Sequence, residues 1–228
     1  DAGWKLLRKH LQIEDPKATG HFLGCNHEVG EIKLPNGTVA RSITYNMESF
    51  FDSCVQRYLE LAGSGVKLKH AGTPFLPDDS KEGPAGRPCA PGTGVECPWC
   101  KHTFDPNRSI HSDAVVDDDA HEPEGKLGKV AASILMKILY GARMARFDLL
   151  RATCHLACFI TRWTSECDKR LHRLVCYIHS TRHLRMTGWI GDSVEKLSPH
   201  LYADADFAGC AQTQRSTSGL HFVIRGPN

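Results

Sequence analysis

Apolar residues recur every three or four positions in five segments of the chain, which is the pattern of a helix with one buried face. The first segment runs from Trp4 to Leu11, and the second covers residues 46–62, where Asn46 can cap the helix. The other three segments are Leu127–Ala142, Phe147–Trp163 and Ser165–Ser180. Because short connections join these last three, we predict that they form an antiparallel helical cluster.

Runs of β-prone residues predict strands towards both ends of the chain. An extended stretch from His21 to Leu34 leads through Pro35-Asn36-Gly37 into Thr38–Tyr45, and Asn-Gly between such runs is a hairpin signal. Three more strands are predicted at Leu184–Ile190, His200–Asp206 and Ser218–Arg225. Segregated helices and antiparallel strands place the chain in the α+β class.

Residues 64–125 differ from the rest of the chain, because most of the twelve prolines lie between positions 74 and 123. Proline at this density predicts loops rather than regular elements. We therefore predict a loop-rich insertion at residues 75–125. It separates an N-terminal part, residues 1–74, from a helical part, residues 126–183, and a C-terminal part, residues 184–228.

The two halves of the chain carry opposite net charge. Residues 1–125 contain 13 Lys or Arg and 19 Asp or Glu, whereas residues 126–228 contain 15 and 7, a net charge of +8. A field of this sign attracts polyanions, of which nucleic acid is the commonest large example, although basic faces are also often only solvated. Four histidines that lie among arginines are interpreted as members of such a solvated face: His155, His172, His179 and His183.

No apolar run approaches the roughly 20 residues of a membrane span, so we expect no membrane partner. The N-terminus has neither an initiator Met nor an apolar leader, and we expect the chain to be cut from a longer protein. Six of the ten cysteines stand singly in or beside apolar segments and are interpreted as reduced core thiols: Cys25, Cys54, Cys154, Cys158, Cys167 and Cys176. Reduced thiols indicate an intracellular protein, in a cytoplasmic particle or in the nucleus.

The most specific motif is Tyr-Ala-Asp-Ala-Asp-Phe-Ala-Gly at residues 202–209, followed by Arg-Ser-Thr-Ser-Gly at 215–219. Weaker landmarks precede it in order: Phe-Leu-Gly at 22–24, Ala-Arg-Phe-Asp at 145–148 and a helix end at 174–181. Together they resemble the end of the reverse transcriptase and the start of the ribonuclease H domain in copia-type retrotransposon Pol polyproteins. The resemblance covers most of residues 20–74 and 127–228.

Several positions depart from the family pattern. Phe147 stands where the family has proline, Cys176 and His179 replace basic residues, and Ala203 and Phe207 replace serine and tryptophan. These departures leave the expected fold in place but remove basic contacts, which fits a divergent or decayed element.

The resemblance implies an α+β fold in which a primer-grip hairpin and thumb and connection helices are followed by the first strands of a ribonuclease H-like fold. Phe22, Leu23 and Gly24 would lie in the hairpin that holds the primer end. Arg146 and Arg173 would contact nucleic acid from the helices beside the duplex. For Phe22 and Leu23 the alternative interpretation is ordinary strand core.

Asp204 and Asp206 alternate with apolar residues, which would direct both carboxylates to one face of a strand. The resemblance makes Asp204 the first metal-binding acid of a ribonuclease H site and Asp206 the second candidate. Such sites hold two divalent ions against the scissile phosphate, and carboxylate oxygens suit Mg²⁺. An Asp-x-Asp pair by itself is more often a solvated strand face. The family's other acids would lie outside the chain, so we expect the segment to be a catalytically incomplete fragment.

The cysteine cluster of the insertion is a second candidate metal site. Cys97 and Cys100 have the Cys-x2-Cys spacing that presents two thiolates to one Zn²⁺, and tetrahedral zinc needs two more nitrogen or sulfur ligands. Cys89 and His102 are the nearest, and His111 or the pair Cys25 and His27 are other sources. Because no second Cys-x2-Cys accompanies the first, a flexible loop with reactive thiols is the alternative.

The function implied by the resemblance is contact with the RNA–DNA template–primer during reverse transcription, in concert with the rest of the Pol polyprotein. The alternative, from a different class, is a non-enzymatic, zinc-stabilised module that binds nucleic acid or protein and derives from such an element.

Overall fold

The structure is a computed structural model that describes residues 2–75, 95–96, 103–104, 123–207 and 216–227. Its α-helices are α1 (Ala2–His10), α2 (Glu48–Ala62), α3 (Gly128–Ala145), α4 (Leu150–Ala157) and α5 (Ser165–Thr181). Its strands are β1 (His21–Phe22), β2 (Cys25–Lys33), β3 (Val39–Asn46), β4 (Val95–Glu96), β5 (Thr103–Phe104), β6 (Met186–Ile190), β7 (Ser198–Ala205) and β8 (Ser218–Arg225). Helices and antiparallel strands occur together, so the prediction of an α+β chain is confirmed.

The N-terminal hairpin has the turn that its sequence predicts. Strands β2 and β3 pair in antiparallel register from Asn26–Asn46 to Lys33–Val39. Gly37 closes the turn with a φ of +84°, and its N–H donates to the carbonyl of Leu34 at 2.9 Å. A left-handed backbone is open to glycine at little steric cost, which is why Asn-Gly marks this connection.

Strand β6 completes a four-stranded antiparallel sheet of order β1-β2-β3-β6. The sequence grouped this strand with the C-terminal part, but in the structure it pairs with β3, and the hydroxyls of Thr44 and Thr187 meet at 2.9 Å. The short connection from α5 to β6 is tied to α2 by two ion pairs, Arg182–Asp52 and Arg185–Glu48. These contacts place the start of β6 beside β3, at the edge of the N-terminal hairpin.

The main core lies between α2, α3, α4 and α5. Each helix contributes one apolar stripe, as the three-and-four spacing predicts. The members that are almost wholly buried are Phe51 from α2, Ile134, Leu135 and Ile138 from α3, Leu149 just before α4, and Leu171, Leu174, Val175 and Ile178 from α5. We call these four helices the helical unit.

The prediction of one continuous helix over Phe147–Trp163 is wrong. The segment is divided into a 3₁₀ turn at Phe147–Leu149, the short helix α4, and a second 3₁₀ turn at Ile160–Arg162. The reason lies in Trp163, which is buried and donates its indole N–H to Asp168 at 2.7 Å. A straight helix could not deliver this ring to the start of α5.

The same carboxylate also organises the start of α3. Asp168 accepts the backbone N–H groups of Lys126 and Leu127, at 2.6 and 3.2 Å. Helix N-termini leave backbone donors without intrahelical partners, so a carboxylate from another helix can satisfy them. Asp168 therefore joins the first turns of α3 and α5.

The interpretation of six cysteines as core thiols holds for four of them. Cys25, Cys54, Cys167 and Cys176 are buried, and burial raises the pKa of the Cys54 thiol to about 12. Cys154 and Cys158 are exposed, and for them the interpretation is wrong. The reason is that α4 turns its other face, with Ala152 and Leu156, towards the core.

Strands β7 and β8 form a separate two-stranded antiparallel hairpin, which we call the C-terminal hairpin. Along its register, three pairs on one face are apolar: Pro199–Ile224, Leu201–Phe222 and Ala203–Leu220. The large side chains among them, Leu201, Leu220, Phe222 and Ile224, are all exposed. Among the described helices, none combines the length and the apolar content that crossing a membrane requires.

Candidate nucleic-acid interface

An exposed surface of α4 and its neighbours gathers positive charge around aromatic rings. Arg151 and His155 are four residues apart and therefore lie along one side of α4, and Phe159 follows in the turn after that helix. Arg162 from the following turn and Arg170 from α5 flank this row. We call these five residues the basic face.

Ring contacts hold the basic face together. The imidazole of His155 and the ring of Phe159 meet edge to face, with centroids 5.2 Å apart. The guanidinium of Arg162 lies 5.2 Å from the centre of the Phe159 ring, within the range of a cation–π contact. On the other side, Nη1 of Arg170 approaches Nε2 of His155 to 3.3 Å.

The positive charge of this surface affects the pKa of His155. Partial burial of the ring lowers the pKa of His155 below its ordinary value, and the positive charges of Arg170 and Arg151 lower it further. One carboxylate balances part of this charge, because Glu166 pairs with Nε of Arg170 at 3.2 Å and with Lys169 at 3.6 Å.

The basic face borders the C-terminal hairpin. Nη2 of Arg151 lies 3.9 Å from Oδ2 of Asp206, and its guanidinium lies 5.5 Å from the centre of the Phe75 ring. The Arg151 side chain is nevertheless 65% exposed. A ligand on the basic face would therefore lie next to the strand that carries the acidic motif.

The structure gives the two predicted catalytic acids different surroundings. Asp204 is exposed within β7, opposite Gly219, and its Oδ1 accepts the N–H of Ala205 at 2.9 Å. Asp206 follows the last residue of β7, and its carboxylate accepts the N–H of Thr217 besides facing Arg151. Asp204 is thus the more open of the two, whereas Asp206 closes the end of the hairpin.

Phe22 ends β1, and Leu23 and Gly24 form the tight turn that joins it to β2. The prediction of one extended stretch from His21 to Leu34 is therefore wrong at this point, because the chain reverses direction there. Leu23 and Gly24 both have positive φ, +48° and +81°, a combination seen in type I′ hairpin turns. The alternative of strand core does not apply, since the side chains of Phe22 and Leu23 are 64% and 62% exposed. Helix α3 supports the turn, because the hydroxyl of Tyr140 donates a hydrogen bond to the carbonyl of Leu23 at 2.7 Å.

Arg146 occupies the interior rather than the surface, with only 3% of its area exposed. Its guanidinium forms a two-point contact with Asp148, at 2.9 and 2.7 Å, and donates to the carbonyl and the hydroxyl of Thr181, each at 2.8 Å. It also lies over the rings of Phe51 and Tyr177. Four of its N–H groups are thereby used within the helical unit, so in this structure no phosphate reaches it.

Arg173 has an intermediate position. It is partly exposed, and it donates from Nε to the carbonyl of Thr73 at 2.9 Å and from Nη2 to the Thr73 hydroxyl at 3.0 Å. These two hydrogen bonds attach the segment around Thr73 to α5. The predicted nucleic-acid contact would use only the remaining donors of this side chain.

The predicted zinc ligands Cys89, Cys97, Cys100 and His102 lie outside the described residues. Within the described ranges, no three side chains of His, Cys, Asp or Glu stand close enough to hold a metal ion.

Reasoning from sequence grouped His155 with three other histidines and did not single out Arg151, Phe159 or Arg170. The spacing of Arg151, His155 and Phe159 was visible, since four-residue intervals place residues on one side of a helix. Arg170 could not be assigned in the same way, because it reaches this surface only through the packing of α5 against α4.

The chain matches no protein-family model, and neither a curated protein nor a solved structure shows a significant match to it. Fold and surface together define an α+β protein with a small antiparallel sheet, a helical unit and a basic face on that unit.

Proposed function

We propose that the chain binds the RNA–DNA template–primer as part of a copia-type reverse transcriptase and ribonuclease H, and that the basic face makes the contact. The observation that carries the proposal is the convergence of Arg151, Arg162 and Arg170 around His155 and Phe159, where the Arg151 side chain is 65% exposed and that of Arg170 is 19% exposed. Guanidinium groups bind phosphates through paired N–H donors and keep their charge at any physiological pH.

The ordered sequence landmarks support the choice of nucleic acid as the ligand. The same half of the chain has a net charge of +8, so the basic face lies within a field that attracts polyanions. The exposed turn at Phe22 and Leu23 is a second surface in the proposal, in the role of a primer grip, and its apolar side chains would pack against sugars and bases.

The C-terminal hairpin supports the ribonuclease H part of the proposal. Strands β7 and β8 carry the two most specific motifs, Asp204 is exposed, and the apolar hairpin face is open. A lone two-stranded hairpin is marginally stable in water, so such a face calls for further structure against it. We assign that role to the rest of a ribonuclease H-like fold in the Pol polyprotein.

In this assignment Asp204 contributes one oxygen ligand to a Mg²⁺ site. Mg²⁺ would supply charge stabilisation for hydrolysis of the RNA strand. The described residues do not by themselves complete such a site. The role that this chain's residues perform in the proposal is therefore to bind and orient the duplex beside β7.

Fluorescence anisotropy with a labelled RNA–DNA hybrid tests the proposal on the full chain. If about three or four phosphates are neutralised, the logarithm of affinity should fall against the logarithm of salt concentration with a slope of about −3. Replacement of Arg162 and Arg170 by Gln should weaken binding and make the slope shallower by about 1 to 2.

The matched control replaces Arg8 and Arg57 by Gln, since both lie on the surface and each pairs with one carboxylate, as Arg170 does. This control variant should keep most of the wild-type affinity and slope. Absence of binding at low salt, an affinity that does not respond to salt, or equal losses in the two double variants would each overturn the proposal.

A further inference from the structure

The arrangement around His155 suggests more than a diffuse basic surface. Arg151 lies one helical turn before His155 on α4, and Arg170 reaches the same imidazole from α5, with Nη1 at 3.3 Å from Nε2. A guanidinium can only donate hydrogen bonds, so Nε2 of His155 is the acceptor in this contact. This contact fits a neutral imidazole with its proton on Nδ1.

Charged or titratable groups lie near this ring on α4, α5 and the C-terminal hairpin, and Arg162 lies beyond the Phe159 ring. Arg170 faces it from α5, with Glu166 behind Arg170 on the Nε side. On α4 the charged neighbour is Arg151, and the exposed thiols of Cys154 and Cys158 are the other titratable groups. From the C-terminal hairpin, Asp206 approaches Arg151 at 3.9 Å. No carboxylate is recorded in contact with the imidazole within the described ranges, whereas one guanidinium touches it.

We propose that Arg151, His155 and Arg170 form a binding site for one phosphate group of a nucleic-acid backbone, and that His155 takes up a proton when the phosphate binds. The choice of ligand rests on the proposed function. The proton balance is simple: in the free site Nε2 accepts from Arg170, and in the occupied site a proton from solvent on Nε2 is donated to a phosphate oxygen.

The physical reason is electrostatic. Two guanidinium charges and partial burial disfavour a third positive charge on the ring, which is why the pKa of His155 lies below its ordinary value. A phosphate between the two arginines offsets their repulsion, and a protonated ring then gains a charge-assisted hydrogen bond. Because Phe159 packs edge to face against the His155 ring, the imidazole does not need to move far.

The direct test is histidine NMR on the full chain, free and bound to a short RNA–DNA hybrid. The pKa of His155 should rise by about one unit or more in the complex, and affinity should increase up to about tenfold between about pH 8 and about pH 6. Inorganic phosphate, titrated alone, is the second arm. A shift with phosphate alone and none with the hybrid would overturn the assignment to a nucleic-acid backbone.

Variants separate the site from the rest of the surface. His155→Gln should abolish most of the pH dependence of hybrid binding while salt dependence persists. Arg170→Gln should weaken binding and also raise the pKa of His155 in the free protein, a change that a merely structural role would not produce. Thermal melts confirm that each variant is folded.

His183→Gln is the matched control, because His183 is also exposed and also lies among arginines. It should leave the pH dependence unchanged. Hybrid binding that depends on salt but not on pH would overturn this inference and leave the proposed function standing. Absence of hybrid binding at any salt concentration would overturn the proposed function as well.

Discussion

The helical unit and the C-terminal hairpin use similar apolar residues with opposite results. Leu174 in α5 has no exposed area, whereas Leu220 in β8 is 75% exposed. Both residues belong to a regular apolar stripe of their own element. The stripe of α5 meets three other helices, while the stripe of the hairpin meets no partner within the described residues. Amphipathic pattern thus predicts which side of an element is apolar, but not whether that side is covered.

Two arginine–aspartate pairs show the same contrast. Arg146 and Asp148 lie within the helical unit, where the guanidinium is buried and hydrogen-bonded on several sides. Arg151 and Asp206 join the helical unit to the hairpin across 3.9 Å, and Arg151 is largely exposed. The first pair organises the core, and the second is a surface contact that a ligand can replace. The following predictions test how far this contrast extends.

The largest expected effect comes from truncating leucine in the two regions. Leu174→Ala should lower the free energy of unfolding by about 3–5 kcal/mol, because it leaves a cavity among packed helices. Leu220→Ala should change it by less than about 0.5 kcal/mol, since the side chain contributes little burial. Urea unfolding followed by circular dichroism measures both. Equal losses would mean that the hairpin face is covered in solution.

The arginine pairs give the next largest difference. Arg146→Met should cost about 3 kcal/mol of stability, because the carboxylate of Asp148 loses its charged partner and the carbonyl of Thr181 loses its donor. Arg151→Met should cost less than about 0.5 kcal/mol, as is usual for exposed ion pairs. Thermal unfolding of the two variants at one pH provides the comparison. A stable Arg146→Met protein would contradict the internal role of this residue.

The pair of Arg146 and Asp148 also predicts how stability depends on pH. Burial acts to raise the pKa of Asp148, but the hydrogen bond and charge of Arg146 outweigh it and hold the pKa below the ordinary value of 3.8. A lowered carboxyl pKa stabilises the fold above that value, and the contribution is lost as the pH falls through the lower folded-state value. The stability difference between wild type and Asp148→Asn should therefore shrink below pH 3.8, as acid titration of unfolding would show.

A smaller effect is expected where α2 and α3 touch. A Cβ at Gly141 would lie 2.7 Å from Cζ of Phe51 and 2.9 Å from Cε1 of Phe50. Gly141→Ala should therefore destabilise the protein by about 1–3 kcal/mol through overpacking. Gly72→Ala is the control, because a Cβ there meets nothing within 4 Å. Similar melting temperatures for the two variants would show that the helices separate easily.

The smallest effect, and the one of opposite sign, is expected at the turn between β1 and β2. Leu23 has a φ of +48°. This left-handed conformation costs a residue other than glycine about 1 kcal/mol. Leu23→Gly should relieve this strain and stabilise the chain by up to about 1 kcal/mol. Leu184→Gly, at an exposed leucine for which no positive φ is found, should not stabilise it. Destabilisation by Leu23→Gly would instead assign the exposed leucine a packing role.

Predictions from sequence succeeded where a local signal was sufficient. Asn36-Gly37 marked a hairpin whose turn requires a left-handed residue, and strand β8 has the bounds that its β-prone run predicts. The turn at Leu23 and Gly24 was missed, because the sequence predicted an extended stretch from His21 to Leu34, and the exposure of Phe22 and Leu23 was missed with it. The basic face was not located from sequence, because Arg151 and Arg170 were not singled out, and the roles of Asp204 and Asp206 stay predictions.

The sequence by itself determined most of the elements, since helix and strand depend on spacings and turn residues within a few positions of each other. Only the tertiary structure decided their partners. It joined β6 to β3, divided the segment before α5 so that Trp163 could reach Asp168, buried Arg146, and brought Arg170 to His155. Each of these contacts links groups whose proximity depends on how helices and strands pack, and no local pattern encodes that distance.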